Sequence, residues 1–375
     1  MKKEYKILLI VAIFYLAVVV LFLAKFDFNP SAAITLGDKD INKYNEKLPS
    51  NLVVFRGSTG YDGQLYYKIA GDLLAQHTHL DSYRYQRIVY PALAYLLAFG
   101  NIKLIPWSLI LINYFAIILG VYFLLLILKN HGANLYLALL WAFNVGYLIC
   151  IIRDLAEPLL FLFVILAFYF LEKRKFLASS LFLVLAIFTK ETILAVILPV
   201  LAYFFFKKQF KAALIYFLPI IFYSIWQVGL FIRFRSWAFL TTEKSFDWPF
   251  FGLVSYVVAV INSIQGGNFP LKLTILPVII FIFIITYLVF RNGPELNIYF
   301  LIIGFHLIFF LLAAEKMYLE VEAFGRYFSV LYLPYILYLA EKKEKYYGLL
   351  LALSILMLFG YLLLILRFQP TYFVN

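Results

Sequence analysis

Charged side chains are scarce in this chain, and the few that border long apolar runs are the ones equipped for chemistry. Asp62 stands in Gly60-Tyr61-Asp62-Gly63-Gln64-Leu65-Tyr66-Tyr67, where a helix is predicted because Leu65, Ile69 and Leu73 follow at helical spacing. A carboxylate in that place either caps the free amides of the first turn or acts as a general base toward an acceptor hydroxyl. The two roles are compatible. Tyr61 and Gln64 flank it as candidate substrate contacts. Downstream, Tyr83-Arg84-Tyr85-Gln86-Arg87 sets Arg84 and Arg87 one helical turn apart. Sharing a face, they could grip a phosphate or pyrophosphate at headgroup level, or simply anchor the next helix to lipid phosphates.

Three further turns carry charge where a plain connection needs none. In Arg153-Asp154-Leu155-Ala156-Glu157-Pro158 the spacing predicts a salt bridge from Arg153 to Glu157 and leaves Asp154 over. Lys190 and Glu191 place opposite charges in a hairpin near apolar depth, where such groups pair with one another or serve a substrate. Glu315, Glu320, Glu322 and Arg326 form the third turn, with Arg326 at the start of a predicted span as a phosphate ligand or a snorkelling side chain. Asp38-Lys39-Asp40 has a two-carboxylate spacing that could hold a divalent metal, although such a triplet arises readily in a polar loop. His77 and His79 lack Cys or Glu at ligand spacing, and His306 lies alone in an apolar run. No His-Glu-x-x-His motif and no glycine-rich phosphate loop occurs, which argues against zinc hydrolysis and direct ATP chemistry.

The elements that must hold these groups are membrane spans. Of 375 residues 65% are hydrophobic and 14% charged, against about a quarter charged in an ordinary soluble domain. The net charge of +12 is spread over loops without a basic stripe, so anionic lipid headgroups or a phosphate-bearing lipid are the expected partners and nucleic acid is not. The single cysteine, Cys150, lies in an apolar run and excludes an intrachain disulfide.

Eleven apolar runs are expected to span: Ile7 to Ala24, Leu104 to Leu128, Ala133 to Ile152, Pro158 to Leu171, Phe176 to Phe188, Ile193 to Phe206, Ala212 to Ile232, Leu273 to Phe290, Leu296 to Ala313, Tyr327 to Ala340 and Tyr347 to Leu366. Ile88 to Gly100 and Phe251 to Ile264 are read as interfacial helices. That drawing puts the basic clusters Met1 to Lys6, Glu172 to Lys175, Lys207 to Lys211 and Glu341 to Lys345 on one side, the cytoplasm of a plasma membrane. The outer side receives the segments 25–103 and 233–272 and nearly all the candidate groups. An all-α polytopic membrane fold follows, divided into residues 1–232 and a C-terminal region 233–375.

This layout resembles the GT-C class of membrane glycosyltransferases, which includes protein O-mannosyltransferases, the aminoarabinose transferase of lipid A and GPI mannosyltransferases. Gly60 to Tyr67, Arg84 to Pro91, the Glu-Pro at Glu157 and the Lys-Glu-Thr at Lys190 carry the likeness, which covers roughly the first two hundred residues. The resemblance implies a polyprenyl-phosphate sugar donor, a lipid, glycan or protein acceptor, and Asp62 as base. It also implies Arg84, Arg87, Arg153, Lys190 and Arg326 as groups that neutralise the leaving phosphate. Some members carry an Asp-Glu pair at the catalytic position; here Asp62 is followed by Gly63, so Asp154 or Glu157 could share its role, and a metal requirement stays open. The rival readings are a secondary transporter, whose halves would be related by repeats, and a non-catalytic lipid-binding protein of envelope polysaccharide assembly.

Overall fold

Backbone amides and carbonyls at membrane depth must be satisfied within their own segment, so the long apolar runs form helices. The computed structural model describes residues 2–46, 48–77, 79–240, 246–265, 276–291, 296–319, 321–342, 347–367 and 370–375. Among them, four helical stretches are long and apolar enough to cross a membrane: Lys3–Ala24, Ile105–Asn130, Phe210–Phe234 and Gly348–Ile365. Shorter apolar helices surround these. The chain is a helical integral membrane protein.

After α1 (Lys3–Ala24), an arm runs through a 3-10 turn at Pro30–Ile34, β1 (Leu36–Gly37), α2 (Asp38–Tyr44) and β2 (Val53–Phe55). It continues into α3 (Asp62–Gly71), α4 (Ser82–Tyr85) and α5 (Val89–Leu97) before the long α6 (Ile105–Asn130). Next come α7 (Leu137–Ala142), α8 (Val145–Ile152), α9 (Glu157–Glu172), α10 (Phe176–Thr189), α11 (Leu194–Phe206), α12 (Phe210–Tyr216) and α13 (Leu218–Phe234). The remaining elements are α14 (Phe251–Gln265), α15 (Leu276–Arg291), α16 (Ile298–Leu312), α17 (Glu315–Leu319), α18 (Val321–Lys342), α19 (Tyr347–Arg367) and β3 (Tyr372–Val374).

The structure departs from the expected elements in three places. A small sheet joins the arm to the segment after α19: β1 pairs parallel with β2, and β2 pairs antiparallel with β3. Strands of two or three residues are too short to register as an alternating pattern, so an all-α reading overlooks them. The run Ala133 to Ile152 does not form one helix but breaks at Phe143 and Asn144. The Asn144 side chain accepts from the Gly146 amide, and the Tyr15 hydroxyl of α1 donates to the Ala142 carbonyl, so the break is supported in the buried interior. Finally, α18 starts at Val321, ahead of the predicted Tyr327, so Arg326 projects from inside the helix instead of opening it.

Charge is sorted to two ends of the bundle. At one end Lys129 pairs with Glu4 at 3.0 Å and His131 contacts Glu172 at 2.7 Å. At the other, the Lys25 ammonium donates to the Ile365 carbonyl at 2.9 Å, which ties the outgoing end of α1 to that of α19. The small sheet and most of the candidate groups lie at this second end.

Candidate functional site

Two close backbone approaches position the site. A Cβ on Gly63 would come within 2.3 Å of the Arg153 carbonyl and 2.8 Å of the Ile34 carbonyl, so only glycine lets the first turn of α3 rest on the turn after α8. In the same way a Cβ on Gly146 would meet the Gly325 carbonyl at 2.7 Å. That contact presses α18 against α8 and brings Arg326 to the start of α3.

Asp62 is the first residue of α3; Tyr61 precedes it in extended conformation and makes no side-chain cap. The carboxylate faces cations: Arg326 approaches one oxygen through both terminal nitrogens at 3.3 Å, and Arg84 reaches the other at 3.5 Å. Asp62 keeps 30% of its side chain open to solvent. Burial pushes its carboxyl up, but the charges of Arg326, Arg87, Arg84 and Lys190 outweigh that and hold it at about 2.

Arg326 also lies 3.6 Å from the Glu157 carboxylate, which accepts from Lys190 at 2.7 Å. Asp62, Arg84, Arg326, Glu157 and Lys190 thus form one continuous ionic chain drawn from five separate places in the sequence. Beside it, Arg87 makes a two-pronged contact with Glu191 at 2.6 and 2.8 Å and donates to the Tyr83 hydroxyl. Burial raises the Glu191 carboxyl, and Arg87 overrides it to keep the group ionised. Arg153 pairs with Glu322 at 3.0 Å, and Glu322 also accepts from the Tyr361 hydroxyl of α19. The Tyr61 ring lies 5.1 Å from the Arg326 guanidinium and 5.6 Å from that of Arg153, linking this pair to the chain through cation–π contact.

Several pairings differ from those the spacing predicts. Arg153 bonds across the bundle to Glu322 rather than one turn along to Glu157, because α9 begins at Glu157 and the intervening residues form a turn. Lys190 and Glu191 also bond apart, to Glu157 and Arg87. Arg84 and Arg87 do not grip from one face: α4 ends at Tyr85, Arg87 is committed to Glu191, and Arg84 keeps 31% exposure. The Gln64 amide is spent on the arm, accepting from the Gly37 amide and donating to the Thr59 carbonyl.

Asp154 stays outside the ionic chain. It is fully buried in a left-handed backbone conformation with φ of 46°, and neither carboxylate oxygen has a hydrogen-bond partner among the described residues. Burial pushes this carboxyl well above the usual range, which favours its neutral form.

The Asp38-Lys39-Asp40 triplet builds the arm. Asp38 accepts from the Gly57 and Ser58 amides, while Asp40 and Glu46 both pair with Lys68, at 2.7 and 2.9 Å. Asp40, Glu46 and His79 lie close enough to share an ion, but the Lys68 ammonium already supplies that cluster with its cation. Likewise Asp62 and Glu157 are paired with guanidinium and ammonium groups. Glu320 lies outside the described residues. Tyr361 had no signal in the sequence, being one tyrosine in an apolar run.

Among the described residues, Arg84, Arg87, Arg153, Lys190 and Arg326 each meet a carboxylate of Asp62, Glu157, Glu191 or Glu322 at one end of the bundle. No family model matches this chain, and no curated protein or solved structure matches it either.

Proposed function

We propose that the chain is a membrane glycosyltransferase of the GT-C kind, which moves a sugar from a polyprenyl-phosphate carrier to an acceptor hydroxyl at the extracytoplasmic face. The observation that carries this reading is Asp62, a solvent-reached carboxylate held between Arg84 and Arg326 at the end of an ionic chain. In the reaction the acceptor oxygen bonds to the anomeric carbon, the bond from that carbon to the phosphate oxygen breaks with its electron pair on the phosphate, and Asp62 takes the acceptor's proton. Arg84, Arg326 and Lys190 spread the charge that develops on the leaving phosphate.

A carboxyl held at about 2 is a weak base at neutral pH. A phosphate bound to Arg84 and Arg326 draws both guanidinium groups away from Asp62 and thereby raises its basicity. Arrival of the donor and arming of the base are then one event. Asp62→Asn is expected to bind a polyprenyl-phosphate sugar but to lose its transfer to acceptor by about 100-fold or more, within the range general bases contribute. Transfer at the full rate by purified Asp62→Asn sinks the assignment.

For the membrane arrangement we propose eleven spans in a plasma membrane with the N-terminus cytoplasmic. Support comes from the ends of the bundle: Glu4 neighbours Lys129 at one end, whereas residues 372–374 pair with the arm at the other, which requires an odd number of crossings. The transporter reading draws on the break between α7 and α8, since discontinuous helices often line solute sites. Flux of a soluble solute in proteoliposomes without glycosylated product would favour it, and donor binding with neither flux nor product would favour a lipid-binding role.

A further inference from the structure

A recess opens beside Tyr61, between the arm and the segment that leads into β3. It encloses about 330 Å3, at the small end of the range for ligand pockets. Arg56 and Arg153 line it together with the hydroxyl-bearing Thr35, Ser58, Tyr61 and Thr371, and no lining residue is acidic. Arg153 is fixed in place by Glu322 and by its bond to the Thr35 hydroxyl. Arg56 has no carboxylate partner among the described residues; its guanidinium lies 5.5 Å over the Phe373 ring of β3. The wall is pinned on both sides: the Arg56 amide donates to the Thr371 carbonyl at 3.0 Å, and β2 pairs with β3 through Phe55 and Tyr372.

We propose that this recess is the acceptor subsite and takes an anionic saccharide, a sugar ring bearing a phosphate or carboxylate, as the end of the acceptor to be glycosylated. The inference rests on the transferase reading above and names the substrate class of its second site. Arg153 is already paired with Glu322, so the charge that selects an anion is that of Arg56, which has no carboxylate partner among the described residues, and its bidentate geometry suits both oxyanions. Four hydroxyls and the Tyr61 ring offer the hydrogen bonds and apolar face that a sugar ring needs. The position also fits, because the recess is made from the hydrophilic arm and Tyr61 adjoins Asp62, so a hydroxyl of the bound sugar is delivered next to the base. A lipid-borne donor would instead be met along the ionic chain, by Arg84, Arg326 and Lys190.

The test is equilibrium binding to the full chain in phosphatidylcholine nanodiscs, with glucose 6-phosphate and glucuronate as probes and glucose and inorganic phosphate as controls. Both anionic sugars are expected to bind at least tenfold more tightly than either control. Arg56→Gln, an exposed residue outside the ionic chain, is expected to weaken both by at least tenfold without changing the melting temperature. Equal binding of glucose and glucose 6-phosphate, or an unchanged affinity in Arg56→Gln, overturns the proposal. Inorganic phosphate binding as tightly as the sugar phosphate overturns its saccharide part. These readings need no turnover, so loss of the recess leaves the transferase reading standing, and full transfer by Asp62→Asn sinks that reading without touching these affinities.

Discussion

Replacing Arg326 by glutamine removes the nearest cation from Asp62 while keeping a side chain of similar length in α18. Asp62 is held at about 2 against an ordinary 3.8, a difference worth about 2 kcal/mol at ~1.4 kcal/mol per unit. Because the folded-state value is the depressed one, this stabilisation is present above 3.8 and is lost as pH falls through about 2. An opposite charge at such range lowers an aspartate by about 1–3 units. In Arg326→Gln the burial that pushes Asp62 up is opposed only by Arg84, Arg87 and Lys190, so the carboxyl should titrate between about pH 3 and 5. The assay is the carboxylate band in infrared difference spectra of Arg326→Gln against the Arg326→Gln, Asp62→Asn double variant. The parent protein, compared with Asp62→Asn, should show a fully ionised Asp62 from about pH 4 to 7. An Arg326→Gln variant whose Asp62 band still shows no protonation at about pH 3 would refute Arg326 as the controlling charge.

Other consequences follow from the same geometry. Glu157→Gln leaves Lys190 buried without its partner and should cost about 3–5 kcal/mol of stability, read as a lower melting temperature in detergent. Adding Lys190→Gln to that variant should recover part of the loss, and a single variant as stable as the parent would show that the pair is not desolvated. Asp154→Asn should keep stability within about 1 kcal/mol and leave transfer nearly unchanged, since burial favours the neutral carboxyl and asparagine accepts the left-handed backbone. With its folded-state value raised, Asp154 favours the fold at low pH and opposes it as pH rises through that value; a large loss of transfer in a well-folded Asp154→Asn would return it to the catalytic set. In a Cys150→Ala background, an impermeant maleimide applied to intact cells should label Ser50→Cys and spare Arg174→Cys, and the opposite pattern would invert the membrane orientation.

The parts of this arrangement that were legible in the sequence are those written in composition and local spacing. Apolar runs announce helices because burial of backbone groups leaves no alternative at membrane depth, and charges beside them mark the ends of the bundle. Asp62, Arg84, Glu157, Lys190 and Arg326 were visible as isolated charges in this way. Their pairing was not, because the partners are distant along the chain: Arg326 meets Asp62 across 264 positions. Spacing sees only neighbours on one helix, which is why it joins Arg153 to Glu157 when the fold sends it to Glu322. The role of Gln64 was hidden for a similar reason, since its partners belong to the arm.

The antiparallel pairing of β2 with β3 sets an order of assembly. Residues 53–55 emerge after only α1 and the short α2, whereas residues 372–374 are synthesised only after α19. During synthesis the outward edge of β2 therefore waits unpaired while every later helix is inserted. Only then can the recess beside Tyr61 acquire its far wall at Pro370 and Thr371, so this compartment exists only in a chain whose final helix has brought residues 370–374 back to the arm.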